Sequence, residues 1–90
     1  MISHTNEKFR KLYATLSIDV RKQARMAYSQ FKTNPYHPSL QFKRIHSSKA
    51  IYSVRINIDY RAVGILDGIE VVWFWIGHHN EYDKIITRFR

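Results

Sequence analysis

The sequence predicts an α+β fold: a two-helix hairpin packed on one face of a three- to four-stranded antiparallel sheet. Three observations predict it. Apolar residues recur at helical spacing through the first third of the chain. After two prolines the pattern changes to the two-residue alternation of strands. An Asp67-Gly68 pair then separates two apolar runs, a strong hairpin signal. Helices gathered ahead of strands mark the α+β class.

The elements follow in order. Residues 5–16 read as a helix, with Phe9, Leu12, Tyr13 and Leu16 on one stripe and Thr5 as its N-cap. Ser17 caps a second helix, whose stripe is Val20, Ala24, Ala27, Tyr28 and Phe31. Asn34-Pro35 ends it, because the residue before proline resists the α region. A turn this short between helices makes a hairpin. The segment Asn34-Pro35-Tyr36-His37-Pro38-Ser39-Leu40 is a stiff connection. Strands are expected at Leu40–Ile45, at Tyr52–Ile56, at Tyr60–Leu66 and at Glu70–Ile76, with a loop at His46–Ala50. Residues 84–89 read equally as a short helix or a strand.

Ninety residues make one domain, 1–90, with a modest core. An apolar fraction of 44% and an aromatic fraction of 14% exclude disorder. The absence of cysteine excludes disulfides and thiolate metal sites. No signal peptide is visible, and the longest apolar run, Val71 to Ile76, is too short to span a bilayer. A small soluble cytoplasmic protein is expected. Fifteen Lys and Arg against seven Asp and Glu give a net charge of +8. Residues 1–66 hold all the basic residues except Lys84, Arg88 and Arg90, and only Glu7, Asp19 and Asp59 as acids. Such an excess favours a polyanion, chiefly nucleic acid, or an acidic partner protein. The alternative is a solvated basic surface.

Turn chemistry gives an expected register. With Asp67-Gly68 as the turn, Leu66 pairs with Ile69, Arg61 faces Phe74 and Tyr60 faces Trp75. With Asn57-Ile58-Asp59 as the preceding turn, Arg55 lies opposite Arg61. One face then carries Val54, Ile56, Tyr60, Ala62, Gly64, Leu66, Val71, Trp73 and Trp75, and lies under the helices. The other carries Ser53, Arg55, Arg61, Val63, Ile65, Val72, Phe74 and Ile76. Two opposed arginines repel unless an anion sits between them, and the guanidinium fork suits phosphate. Gly77-His78-His79 emerges near them, and Lys43 falls on the same face. The expected cluster is Lys43, Arg55, Arg61, His79 and Tyr82, with Arg44 and His78 beside it as substrate contacts. The competing readings are salt bridges from the arginines to Asp59, Glu81 or Asp83, and ordinary surface histidines. Zinc is disfavoured, since adjacent histidines point apart in an extended chain and no His-x-x-x-His or Cys completes a ligand set. Trp73 and Trp75 are assigned to core rather than to base stacking.

The segments 34–40 with Lys43, Tyr52-Ser53-Val54-Arg55, Tyr60-Arg61-Ala62, and the run Trp73-Phe74-Trp75-Ile76-Gly77-His78-His79-Asn80-Glu81-Tyr82-Asp83 resemble, in order and spacing, the RelE/ParE superfamily. These are small toxins of bacterial toxin–antitoxin pairs. The resemblance covers nearly the whole chain. It implies a RelE-like helix hairpin on an antiparallel sheet, often with a short first strand that Met1 to His4 would supply. It also implies messenger RNA cleavage, commonly on the ribosome, and neutralisation by an antitoxin that wraps the toxin. Carried over by position, Arg61 matches the family's sheet arginine, His79 the residue after the last strand, and Tyr82 the C-terminal aromatic.

The chemistry expected is a metal-independent endoribonuclease in which the RNA's own 2′-hydroxyl attacks the adjacent phosphate. His79 transfers protons, Arg55 and Arg61 stabilise the phosphorane, and Tyr82 stacks a base or orients a proton. No cofactor is expected. A cognate antitoxin is expected to cover an apolar patch of Val63, Val72 and Phe74, unless residues 84–90 cover it from within the chain. The toxin itself is expected as a monomeric subunit of that complex. Two other functions fit the same residues: a non-enzymatic inhibitor of DNA gyrase, as in the ParE branch, and an inactive module that binds only antitoxin or RNA.

Overall fold

The computed structural model describes residues 1–88; Phe89, the end of the ambiguous segment, and Arg90 lie outside the described residues. The chain runs β1 (Ile2–Thr5), α1 (Glu7–Ala14), α2 (Ile18–Thr33), a 3-10 turn (Pro38–Leu40), β2 (Lys43–Arg44), β3 (Ile51–Arg55), β4 (Tyr60–Asp67), β5 (Glu70–His78), a second 3-10 turn (His79–Glu81) and α3 (Tyr82–Thr87). The sheet has five strands in the order β1-β5-β4-β3-β2. That is one more than the upper expectation, because β1 joins the edge parallel to β5 while the other pairs are antiparallel. No helix among the described residues is long and apolar enough to cross a membrane.

Local chemistry explains the boundaries. Thr5 is taken into β1 opposite Trp73, so the N-cap of α1 falls to Asn6, whose Oδ1 accepts from the Phe9 amide at 2.9 Å. Ser17 caps α2 by accepting from the Val20 amide. The expected strand 40–45 shrinks to two residues, since Pro38 starts a 3-10 turn and Gln41 adopts a left-handed φ of 46°. The ambiguous C-terminal segment is helical through Thr87.

The helix pair covers one face. Phe9, Ala24, Phe31, Leu40, Val54, Ala62, Val71, Trp73 and Ile76 are buried together there. Serine 3 ties β1 to this core: its hydroxyl accepts from the Trp73 indole at 2.8 Å, and its carbonyl accepts from the Tyr28 hydroxyl. A second, smaller core lies on the outer face, where Ile85 of α3 packs with Ile51, Val63 and Trp75.

The β4–β5 register differs from the expected one twice. Gly68, with φ of 61°, is the first central residue of the turn rather than the second, so Asp67 pairs with Glu70. A bulge then opposes Gly64 to Trp73 and Val63 to Trp75, leaving Phe74 as the extra residue. A Cβ on Gly64 would stand 2.7 Å from Trp73 Cε3, so the indole occupies the space a side chain would take. Beyond the bulge the faces exchange. Trp75 moves to the outer face and Ile76 to the helix face, the reverse of the alternation read from sequence. Arg61 consequently faces Gly77, not Phe74, and Tyr60 faces His78, not Trp75.

Gly64→Ala forces the Trp73 ring or the β5 backbone to move, and is expected to destabilise the fold by about 1–3 kcal/mol. A urea titration followed by tryptophan fluorescence measures this as a lowered midpoint at unchanged slope.

Candidate functional site

Three strands and α3 assemble the site on the outer face. Arg55 and Arg61 are direct partners across β3 and β4. The two-residue alternation sets Ser53 on the face of Arg55, and Lys43 is the partner of Ser53. Tyr82, the first residue of α3, donates its hydroxyl to Ser53 Oγ at 3.2 Å. Ser53 is itself only 2% exposed, and this contact gives its hydroxyl a partner in the protein.

Burial sets the state of the phenol. Burial raises the Tyr82 pKa above its ordinary value of 10.0; the Ser53 hydrogen bond and the Arg61 charge lower it, and Asp83 raises it. Burial wins, so the group is a neutral donor at physiological pH. Arg61 uses one guanidinium nitrogen to clasp the turn, donating to the carbonyls of Asn57 at 2.7 Å and Tyr60 at 2.9 Å. Among the described residues neither Arg55 nor Arg61 has a carboxylate partner, so the salt bridges to Asp59, Glu81 or Asp83 do not form. Arg55 also borders a groove shared with Gln23, Met26 and Gln30 of α2.

The histidines are organised separately, just past Gly77, the partner of Arg61. His78 pairs with Tyr60, and the two rings meet edge to face at 5.5 Å. His79 leaves the strand, donating its amide to the Asp59 carbonyl at 2.7 Å, and its ring stacks on His78 at 4.5 Å. His78 Nε2 lies 4.0 Å from Asp59 Oδ1. The structure thus pairs Arg55 with Arg61, sets the Arg61 charge close enough to act on the Tyr82 phenol, and puts Lys43 in register with Ser53. It places His78 and His79 in a neighbouring group around Asp59.

Two expected assignments change. Arg44 pairs with Tyr52, on the face opposite Lys43, and its Nε donates to the carbonyls of His46 and Lys49, where it clasps the β2–β3 loop. The apolar patch is largely closed. Val63 is fully buried against Ile85, and Phe74 is half-buried on the same cluster. α3 thus covers that face from within the chain, and only Val72, beside its partner Ile65, stays open there, at 38% and 44% exposure. Sequence reasoning gave no site role to Ser53, and named Asp59 only as a turn residue and a possible salt-bridge partner of the arginines. Ser53 had a signal, since it alternates onto the face of Arg55. Asp59 had its place in the turn ahead of Tyr60, but nothing in the sequence set it beside the histidines.

The raised Tyr82 pKa has a definite sign. The folded state holds the phenol proton more tightly, so stability is full below pH 10.0 and falls as pH rises through the ordinary phenol value. Tyr82→Phe removes this loss. Melting temperatures from pH 8 to pH 11 are expected to fall more steeply for the parent than for the variant; equal slopes would refute the assignment.

Comparison with known proteins agrees with this architecture. The family model of the ParE-like toxin domain matches residues 18–84. No curated protein matches the sequence. Among solved structures, the chain is similar to the RelB-RelE antitoxin-toxin complex from Methanococcus jannaschii, at 14% identity, TM-score 0.74, and coverage of 91% of this chain and 96% of that one. It is similar to YafQ from E. coli at 12% identity and TM-score 0.71, covering 89% and 94%. It is also similar to the YoeB/ParE toxin from Agrobacterium tumefaciens at 13% identity and TM-score 0.69, covering 88% and 99%. At these identities the structures speak for a shared fold, and the family model spans most of the chain. The chain belongs to the ParE-like toxin domain family.

Proposed function

We propose that this chain is the toxin of a toxin–antitoxin pair and acts as an endoribonuclease on messenger RNA, in association with the ribosome. One observation carries the reading. Arg55 and Arg61 are opposed across the sheet without a carboxylate between them, beside a neutral phenol. Two guanidinium groups so placed are relieved by an anion, and a phosphodiester matches their forks.

The chemistry needs no external nucleophile. The RNA's 2′-oxygen attacks the neighbouring phosphorus as its proton leaves, and the 5′-oxygen of the next nucleotide departs as it gains one. Negative charge gathers on the phosphoryl oxygens, where Arg55 and Arg61 lower its energy. His79, exposed and next to the arginine pair in register, exchanges the protons. Tyr82 presents a half-buried ring, fixed by its hydrogen bond to Ser53, on which a base can stack. Lys43 extends the cationic surface along the RNA backbone, with His78 as an outer contact.

Neutralisation by a cognate antitoxin accompanies this reading. The M. jannaschii relative is described as an antitoxin–toxin complex, and the +8 charge suits an acidic partner. A second reading, inhibition of DNA gyrase without RNA cleavage, is favoured by the family model, whose description is ParE-like.

Purified protein incubated with messenger RNA, with and without ribosomes, separates the two. Cleavage is expected, and Arg61→Lys is expected to lower it by about 10²–10³-fold, since charge is kept and the fork is lost. His79→Ala is expected to lower it by about 10²-fold or more. Intact transcripts together with inhibited gyrase would establish the second reading instead. Full cleavage by both variants would remove the site.

A further inference from the structure

Adjacent histidines in a strand point to opposite faces, which is why sequence reasoning set a metal aside. Here β5 ends between them. His78 is the last strand residue and His79 the first of a 3-10 turn, so their rings stack with planes 29° apart instead of diverging. A carboxylate joins them from the other side of the hairpin. The ligand atoms of Asp59, His78 and His79 all lie within 4.8 Å of one another, and no other such group of three occurs among the described residues.

Backbone contacts hold this triad rather than chance side-chain placement. The His79 amide bonds the Asp59 carbonyl, and His78 is locked in the ladder opposite Tyr60. The His78 ring is held on both sides, by Tyr60 and by His79, and its Nδ1 accepts from the Asn80 amide at 3.1 Å. That leaves Nε2 turned toward Asp59.

We propose that Asp59, His78 and His79 form a binding site for a divalent transition-metal ion of the zinc–copper class. Two imidazoles and one carboxylate are borderline ligands that favour these ions over magnesium or calcium. Three protein ligands leave coordination positions for water. An ion on His78 Nε2 leaves the imidazole proton on Nδ1, so binding displaces the Asn80 contact. The triad also closes slightly to reach metal–ligand distances. Both costs make the site moderate in affinity and readily exchanged. Metal needs the His79 lone pair that the proposed proton transfer uses, so the two roles exclude each other; the binding itself does not depend on the nuclease reading.

Calorimetric titration of the full chain with zinc in chelator-treated buffer at neutral pH tests this. One saturable site is expected, with affinity reduced at least about tenfold in Asp59→Asn and in His78→Ala, and unchanged in His37→Ala. Binding that is absent, or equal in all four proteins, overturns the proposal. Amide NMR of the parent chain with substoichiometric copper guards against variants that fail to fold. Broadening is expected first at Asp59, His78 and His79. Broadening centred on His4, His37 or His46 overturns the proposal too.

Discussion

The seat of Trp73 over bare Gly64 is the constraint on which the rest of the molecule depends. An indole and a side chain cannot share that space, so the sheet keeps glycine there; one residue beyond it the register slips. The slip gives each tryptophan its own face. Trp73 anchors the core under α1 and α2, and Trp75 anchors the smaller one under α3. It also decides what stands opposite what at the far end of the hairpin. Because of it Arg61 faces a glycine and Tyr60 faces His78.

Gly77 repeats the device at the same end. A Cβ there would stand 2.7 Å from the Trp75 ring, which lies across the backbone beside Arg61. The polar groups of the site are therefore held by an apolar frame. Ser53 and Tyr82 meet because α3 is fixed by Ile85, and the two opposed arginines are tolerated because packing elsewhere offsets their repulsion. Sites that gather like charges draw on stability supplied by the rest of a fold.

Much of this was legible in the residues, for reasons that differ by element. The helices announced themselves through apolar stripes and the Ser17 cap. The Arg55–Arg61 pairing followed from the Asn57 turn, where the Asn57 side chain accepts from the Asp59 and Tyr60 amides as turn asparagines do. The β4–β5 register was not legible. Asp-Gly suggested glycine as the second central residue, and nothing in a one-dimensional pattern marks a bulge when every residue from Val71 to Ile76 is apolar. The family resemblance, by contrast, rested on spacing and survived the slip. The apolar patch failed for a further reason: a six-residue helix with one buried isoleucine is too short to read from periodicity, yet it is enough to cover Val63.

The first strand has a temporal meaning. β1 lies along β5, and Ser3 receives the indole of a residue 70 positions later. During synthesis the opening residues therefore wait for β5 before they find their place. Contacts of such long sequence separation form late and close the structure cooperatively. A nascent chain in which β5 is not yet made thus lacks a finished sheet at that edge.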